Sequence, residues 1–191
     1  MFPGPFASAR SVAAATTSPE PRTAGVPPGD NREMPRIHVT RIAVNEDAID
    51  VNRHVNNVAY LRWTQDAATA HSAAQGWTLE RFRSAGACWL VRSHFIEYLR
   101  PAFAGDTLLL FTWVAGMKAF SFPRRYLFLR ENDGTAVAKA ETLWVFADFA
   151  SGRPVRIPPE VEAAFPIVPD DDRELVALTG GAASSSARQR R

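Results

Sequence analysis

Four strand-like runs follow one another at about residues 86–99, 106–117, 120–131 and 135–149, with no helix between them, and that succession limits the folds open to this chain. β-Branched and aromatic residues dominate each run, the side chains that suit a pleated, half-buried surface. Gly105-Asp106 and Asn132-Asp133-Gly134 separate runs with the residue types that tight turns require. Ahead of them, 36–45 reads as a further strand. Residues 57–75 read as a helix, because Val58, Leu61, Ala68 and their small neighbours keep helical spacing and Gly76 stops the run. Asn56 or Asn57 is expected to cap it. A short helix over 159–165, entered through Pro158-Pro159, closes the set. One strand, one long helix and four strands predict an α+β domain: an antiparallel five-stranded sheet wrapped around one long helix.

The long helix is small-sided. Ala67, Ala68, Ala70, Ala73 and Ala74 would let it lie close to a curved sheet, with Leu90, Leu110 and Trp144 as candidates for the inner face. Several strands are apolar on both sides, which predicts burial at a subunit interface and hence a homodimer, with a dimer of dimers as an extension.

Composition excludes more than it selects. A chain of 191 residues, 46% hydrophobic and 22% charged, is long enough for one domain with a real core. Its formal net charge of +2 comes from scattered basic residues rather than a stripe, so nucleic acid is not the expected partner. The single cysteine, Cys88, rules out an internal disulfide framework and fits a reducing compartment. No apolar run is long enough for a membrane span.

Residues 1–35 hold seven of the fourteen prolines among Ala, Ser, Thr and Gly, and read as a disordered extension. Residues 1–19 carry one arginine and no acid, a composition shared with organelle transit peptides. The simpler reading is a non-functional extension on a cytoplasmic protein, with Met34 as an alternative start. Residues 169–191 turn polar and read as a flexible tail, leaving 36–168 as the domain.

Chemistry concentrates between Asp50 and Trp63, where Asp50-Val-Asn52-Arg-His54-Val-Asn56-Asn57 runs straight into the helix. Such a density of acid, imidazole and amide groups costs stability wherever it is buried, so a role beyond folding is expected. A carboxylate before a helix, with an imidazole and amides beside it, can act as general base or nucleophile, and His54 and Asn52 are supporting candidates. Backbone N–H groups at Val55, Asn56, Asn57 and Val58 would lie unpaired at the positive end of the helix dipole, suited to an oxyanion. Competing structural roles are a turn carboxylate for Asp50, a packed imidazole for His54 and simple caps for Asn56 and Asn57.

The element order and the stretch from Asp50 to Trp63 resemble the hotdog-fold thioesterases of the 4-hydroxybenzoyl-CoA thioesterase and acyl-CoA thioesterase family. The resemblance extends to Glu97-Tyr98-Leu99-Arg100-Pro101-Ala102 running into Gly105-Asp106, to the Asn132-Asp133-Gly134 hairpin, and to 151–158. It implies a single hotdog domain that hydrolyses an acyl-CoA, without cofactor or metal, with catalysis centred on Asp50, Asn52 and His54. The Asp-x-Asn-x-His-Val-Asn-Asn core is especially similar to plant acyl-ACP thioesterases, so acyl-ACP is an alternative substrate. The downstream glutamate of the plant pattern falls on Pro101 here, which favours the simpler scheme built on one acid. Glu97 could replace that glutamate only if its side chain faced the site, and pairing with a nearby arginine is the competing reading.

The acyl pocket is expected between the helix and a partner subunit, lined by Tyr60, Trp63, Trp77 and Phe82. Lys118, Arg124 and Arg125, near a strand connection, are candidates for the phosphates of coenzyme A. His38, His71 and His94 lack metal-ligand spacing. Cys88, beside Trp89 and Leu90, reads as core rather than nucleophile. Two other classes stay open: a hotdog enoyl-CoA hydratase, whose Asp and His stand one residue further apart with a proline between them, and a non-catalytic acyl-CoA-binding module.

Overall fold

A computed structural model describes residues 34–183. The expectations for residues 1–33 and 184–191 lie outside the described residues. The elements are β1 (His38–Ala43), a 3-10 turn (Glu46–Ala48), α1 (Asn57–Ala74), α2 (Leu79–Ser84), β2 (Ala87–Tyr98), β3 (Thr107–Val114), β4 (Ser121–Arg130), β5 (Ala136–Asp148), α3 (Pro159–Ala164) and α4 (Arg173–Thr179). The five strands form one sheet in the order β1-β3-β4-β5-β2, every pairing antiparallel.

Local chemistry sets the limits of α1. Asn56 is its N-cap, accepting from Val58 N–H at 2.9 Å, and Asn57 is the first helical residue. At the other end Gly76 adopts φ +74°, and the N–H groups of Gly76 and Trp77 return to Ala73 O and Ser72 O. The helix buries Tyr60, Thr64, Ala67, Ala68 and His71 against one sheet face, whereas Ala70, Ala73 and Ala74 face outward. Close approach therefore rests on two alanines rather than five.

Tyr60 and Ala67 pack with Leu108, Leu110, Tyr126 and Phe128. Beyond the far end of α1, Trp77 and Phe82 join Phe122, Phe146, Val161 and Phe165 in a second cluster. A third fills the opposite sheet face, where Phe111, Trp113, Leu127 and Leu129 meet Ile37, Val168 and Leu175. This third cluster corrects the reading of two-sided apolar strands: β3 and β4 are apolar on both faces because the chain's own return, including α4, covers the second. It also corrects the flexible tail, since Arg173–Thr179 form a helix. That helix is capped by Asp172, which accepts from Glu174 N–H and Leu175 N–H and also binds Arg36 at 2.6 Å.

Leu90, expected inside, is exposed. The register of β2 against β5 shifts between Val91 and Ser93, and a bulge exchanges the faces of all residues beyond it. Ala87 and Trp89 point inward before the shift, Ile96 and Tyr98 after it. No helix among the described residues is long and apolar enough to cross a membrane.

If α4 is part of the core, Leu175→Ala should lower the unfolding free energy by about 3 kcal/mol, the usual cost of emptying a fully buried leucine site. Leu178→Ala, on the exposed side of the same helix, should change it by less than about 0.5 kcal/mol. Urea denaturation of the two variants checks the difference.

Candidate active site

Ahead of α1 the chain makes a tight reversal closed by a bridge between Ile49 and Val55. Asp50 N–H donates to His54 O at 2.8 Å, and Arg53 N–H donates to Asp50 O at 2.9 Å. Inside this turn Asp50 Oδ1 accepts from Asn52 N–H at 2.8 Å and from His54 N–H at 3.3 Å. Arg53 takes up φ +64°, a left-handed conformation that costs a non-glycine residue on the order of 1 kcal/mol and persists only where its surroundings impose it. The half-buried Asp50 carboxylate is thus fixed through one oxygen, while Oδ2 accepts no hydrogen bond among the described residues. The turn role and a chemical role can coexist on the two oxygens.

The helix start is less open than four consecutive donors would suggest. Val55 N–H donates to Ala102 O at 2.9 Å, Asn56 N–H to Ala48 O at 2.8 Å, and Val58 N–H to the Asn56 side chain. That corrects the expectation for three of the four donors and leaves the Asn57 N–H without an acceptor among the described residues. It lies on the first turn, where the helix dipole favours negative charge.

The segment following β2 walls this loop. His54, exposed, stands edge-on to Phe103 at 5.3 Å between ring centroids, and Tyr98 Oη donates to Asn57 O at 3.4 Å. Asn52 is exposed on the outside of the turn. Tyr98, Ala102 and Phe103 were not singled out from the sequence. Their only signal there was the family-like run of residues 97–106.

Tyr60 and Trp63 lie one turn further into α1, but Tyr60 is core rather than pocket wall. Its ring contacts those of Trp63, Tyr98 and Phe128, and burial above all pushes its phenol up to about 12. Trp63 borders a 230 Å³ depression with Asn45, Asn56 and Arg62. Trp77 and Phe82 stack on each other beyond the opposite end of the helix, at 5.0 Å. The four aromatics therefore do not form one pocket. Glu97 borders a separate surface hollow on the outer sheet face with Arg125 and Lys139, whereas Tyr98 points toward α1. Pro101 contributes its carbonyl to Arg130 Nη2 at 2.7 Å.

Residues 44–165 match the sequence model of the thioesterase-like superfamily, well over half of the chain. The chain belongs to that superfamily. No curated protein matches the sequence. Among solved structures, a 1,4-dihydroxy-2-naphthoyl-CoA thioesterase from Synechocystis superposes with a TM-score of 0.62 at 19% identity, covering 67% of this chain and 94% of that one. A probable thioesterase from Escherichia coli gives 0.59 at 23%, with coverages of 66% and 95%. A Staphylococcus aureus protein solved in complex with CoA gives 0.64 at 16%, with 70% and 84%. The fold is the hotdog fold of thioesterases, and the protein is a thioester hydrolase.

Within this thioesterase the three cations proposed for CoA phosphates have three different fates. Lys118 is exposed in the connection between β3 and β4. Arg125 is half-buried on the outer sheet face and paired with both Glu141 and Asp170, so its charge is already compensated. Arg124 is not at a connection at all: it sits within β4, fully buried on the α1 side, and cannot meet a surface phosphate. Its Nη1 donates to His71 Nδ1 at 2.7 Å. Because arginine only donates, the His71 proton must sit on Nε2, which faces Pro35 O at 2.9 Å. His38 stacks on His71 at 5.7 Å, and His94 Nδ1 meets Thr142 Oγ1 at 2.8 Å. Cys88 is half-buried, and burial, assisted by the Asp148 charge, pushes its thiol up, away from a nucleophilic thiolate.

Burial, then the charge of Arg124, lowers His71 from 6.5 to about 3. Between those values the unfolded chain binds a proton that the folded chain refuses, so acid destabilises the fold. Stability should therefore fall as pH drops from about 6.5 toward 3, by up to about 1.4 kcal/mol per pH unit from this group. Urea unfolding at pH 7 and pH 5 measures it, and His71→Asn should show a shallower dependence than the parent chain.

Proposed function

We propose that the protein hydrolyses an acyl-CoA thioester to a free acid and coenzyme A, with Asp50 as the acting carboxylate. The observation that carries this reading is the division of labour on Asp50: Oδ1 held by two backbone donors, Oδ2 open, beside a helix start with one N–H still to give. Such a carboxylate is oriented without being consumed by its own turn. Asp50 Oδ2 takes a proton from water as that water adds to the thioester carbonyl, or adds to the carbonyl itself to form an anhydride that water then opens. In either route the carbonyl oxygen gains negative charge, accepted by the Asn57 N–H and the helix dipole. Collapse of the tetrahedral species breaks the C–S bond, and the thiolate of coenzyme A leaves and is protonated by solvent or by the Asp50 carboxyl.

His54, on the same loop, supplies a second base or a donor to the carbonyl, and the Asn52 amide positions water. Lys118, exposed in the connection between β3 and β4, is the cation assigned in this reading to the CoA phosphates.

A homodimer completes the reading. β2 ends the sheet, with no strand beyond it among the described residues and Leu90 exposed along it. Such an edge favours addition of another strand. A second copy pairing β2 with β2 would continue the sheet, and light scattering should then give twice the mass of one chain.

Thiol release, measured with short, medium, long and aryl acyl-CoA and with acyl-ACP, tests the chemistry. Asp50→Asn keeps an oxygen for the turn but removes the base, so the rate should fall by about 100-fold or more while circular dichroism stays unchanged. An undiminished rate in Asp50→Asn would reduce Asp50 to a turn former and remove the proposal.

A further inference from the structure

A cavity of about 270 Å³ lies between α1, α2 and the sheet, well away from Asp50. Its helical wall comes from Gln65, Thr69 and Ser72, eight to fifteen residues beyond Asn57, which at 1.5 Å per residue is about 12 to 22 Å along the axis. Trp77, Phe82, Trp89 and Phe122 make its sides aromatic. The cavity exceeds the roughly 150 Å³ that holds a benzene ring, yet falls below the usual range for drug-sized ligands. It is sized for a compact apolar body.

Arg124 is part of the same wall and is 1% exposed. Other half-buried arginines of this chain are answered by carboxylates: Arg125 by Glu141 and Asp170, Arg130 by Asp106 and Asp133. Arg124, buried more deeply than either, has no carboxylate within ion-pair distance among the described residues. Among the described residues its hydrogen bonds leave from Nη1, to His71 Nδ1 and to Thr112 Oγ1 at 3.5 Å, both neutral acceptors. The faces of Phe122 and Phe165, 5.5 and 5.9 Å from its central carbon, add weak attraction but no counter-charge. Trp89, in the same wall, also holds a buried indole N–H without an acceptor among the described residues. Among the described residues, no acidic side chain lines the cavity. A desolvated guanidinium is costly unless its charge and its forked donors are met, and this one is met only in part.

We propose that this cavity binds a carboxylate carried on a compact apolar body, with Arg124 as the partner of the anion. A planar carboxylate matches the guanidinium fork, and the aromatic walls accept the body behind it. Phosphate, carrying more charge, would bring no apolar group to fill those walls. Two sources carry the required chemistry. One is a free carboxylic acid, the product class of thioester hydrolysis; the other is the far end of an acyl group still on its carrier, a source that rests on the acyl-CoA reading above.

Calorimetry on the full chain with 3-phenylpropionate and with the neutral 3-phenylpropionamide tests the site itself. The acid should bind at least tenfold more tightly than the amide. Arg124→Met should erase that preference, and Thr69→Phe, an exposed position at the cavity wall, should weaken the acid while leaving Arg124 in place. Equal affinity for acid and amide, or an acid affinity unchanged in Thr69→Phe, overturns the proposal even if Arg124→Met fails to fold. Thiol release then assigns the source: a lower KM for an acyl-CoA ending in a carboxylate than for its methyl-ended equal, lost in Arg124→Met, identifies the acyl end, and acid binding without that preference identifies the free acid. If no acyl-CoA releases thiol, the acyl-CoA reading fails while the calorimetric result on the cavity still stands.

Discussion

The packing of α1 across one face of the antiparallel sheet is the contact on which the rest of this protein depends. Tyr60, Thr64, Ala67, Ala68 and His71 make a buried stripe along the helix, and their neighbours in β3 and β4 fix its direction and depth. Both ends of the helix thereby acquire fixed surroundings. Its start is held against the Asp50 turn and the segment after β2, and the residues near its end become the wall of an aromatic cavity.

How far this was legible in the sequence depends on the range of the deciding force. Turn chemistry is local, so Asn132-Asp133-Gly134 and Gly105-Asp106 marked strand ends that the structure places within a residue or two. The α1 boundaries were likewise written in Asn56 and Gly76. The inward face of β2 was not, because the register shift near Arg92 is set by its pairing with β5 and reverses the alternation halfway along the strand. Nor was α4: Arg173–Thr179 is a run of only seven residues whose helix is held by Leu175 in the core and by the contact of Asp172 with Arg36, 136 residues away in the chain. A short helix stabilised by tertiary contact leaves little trace in local propensity.

The candidate site divides in the same way. Asp50, Asn52, His54 and the helix start lie within nine residues, so their proximity could be read directly. Which donors remain open could not, since Val55 and Asn56 spend their N–H groups on Ala102 and Ala48, partners chosen by the fold. The loss of three expected donors makes the site narrower. A thioester carbonyl placed against the Asn57 N–H would meet one backbone donor and the helix dipole rather than a row of amides, which gives His54 more weight as a second donor.

Arg124 and Arg125 show most plainly what a strand does to a motif. As adjacent letters they read as one basic patch, but adjacent residues of a strand face opposite sides of the sheet. Arg125 emerges on the outer face, where Glu141 and Asp170 were available to pair with it. Arg124 is driven into the interior, where His71 stays neutral and its Nδ1 accepts a hydrogen bond from the guanidinium. A methionine or leucine would fill that position without the desolvation cost. The guanidinium therefore makes poor sense as packing, and good sense as half of an interaction whose other half enters through the cavity beside it.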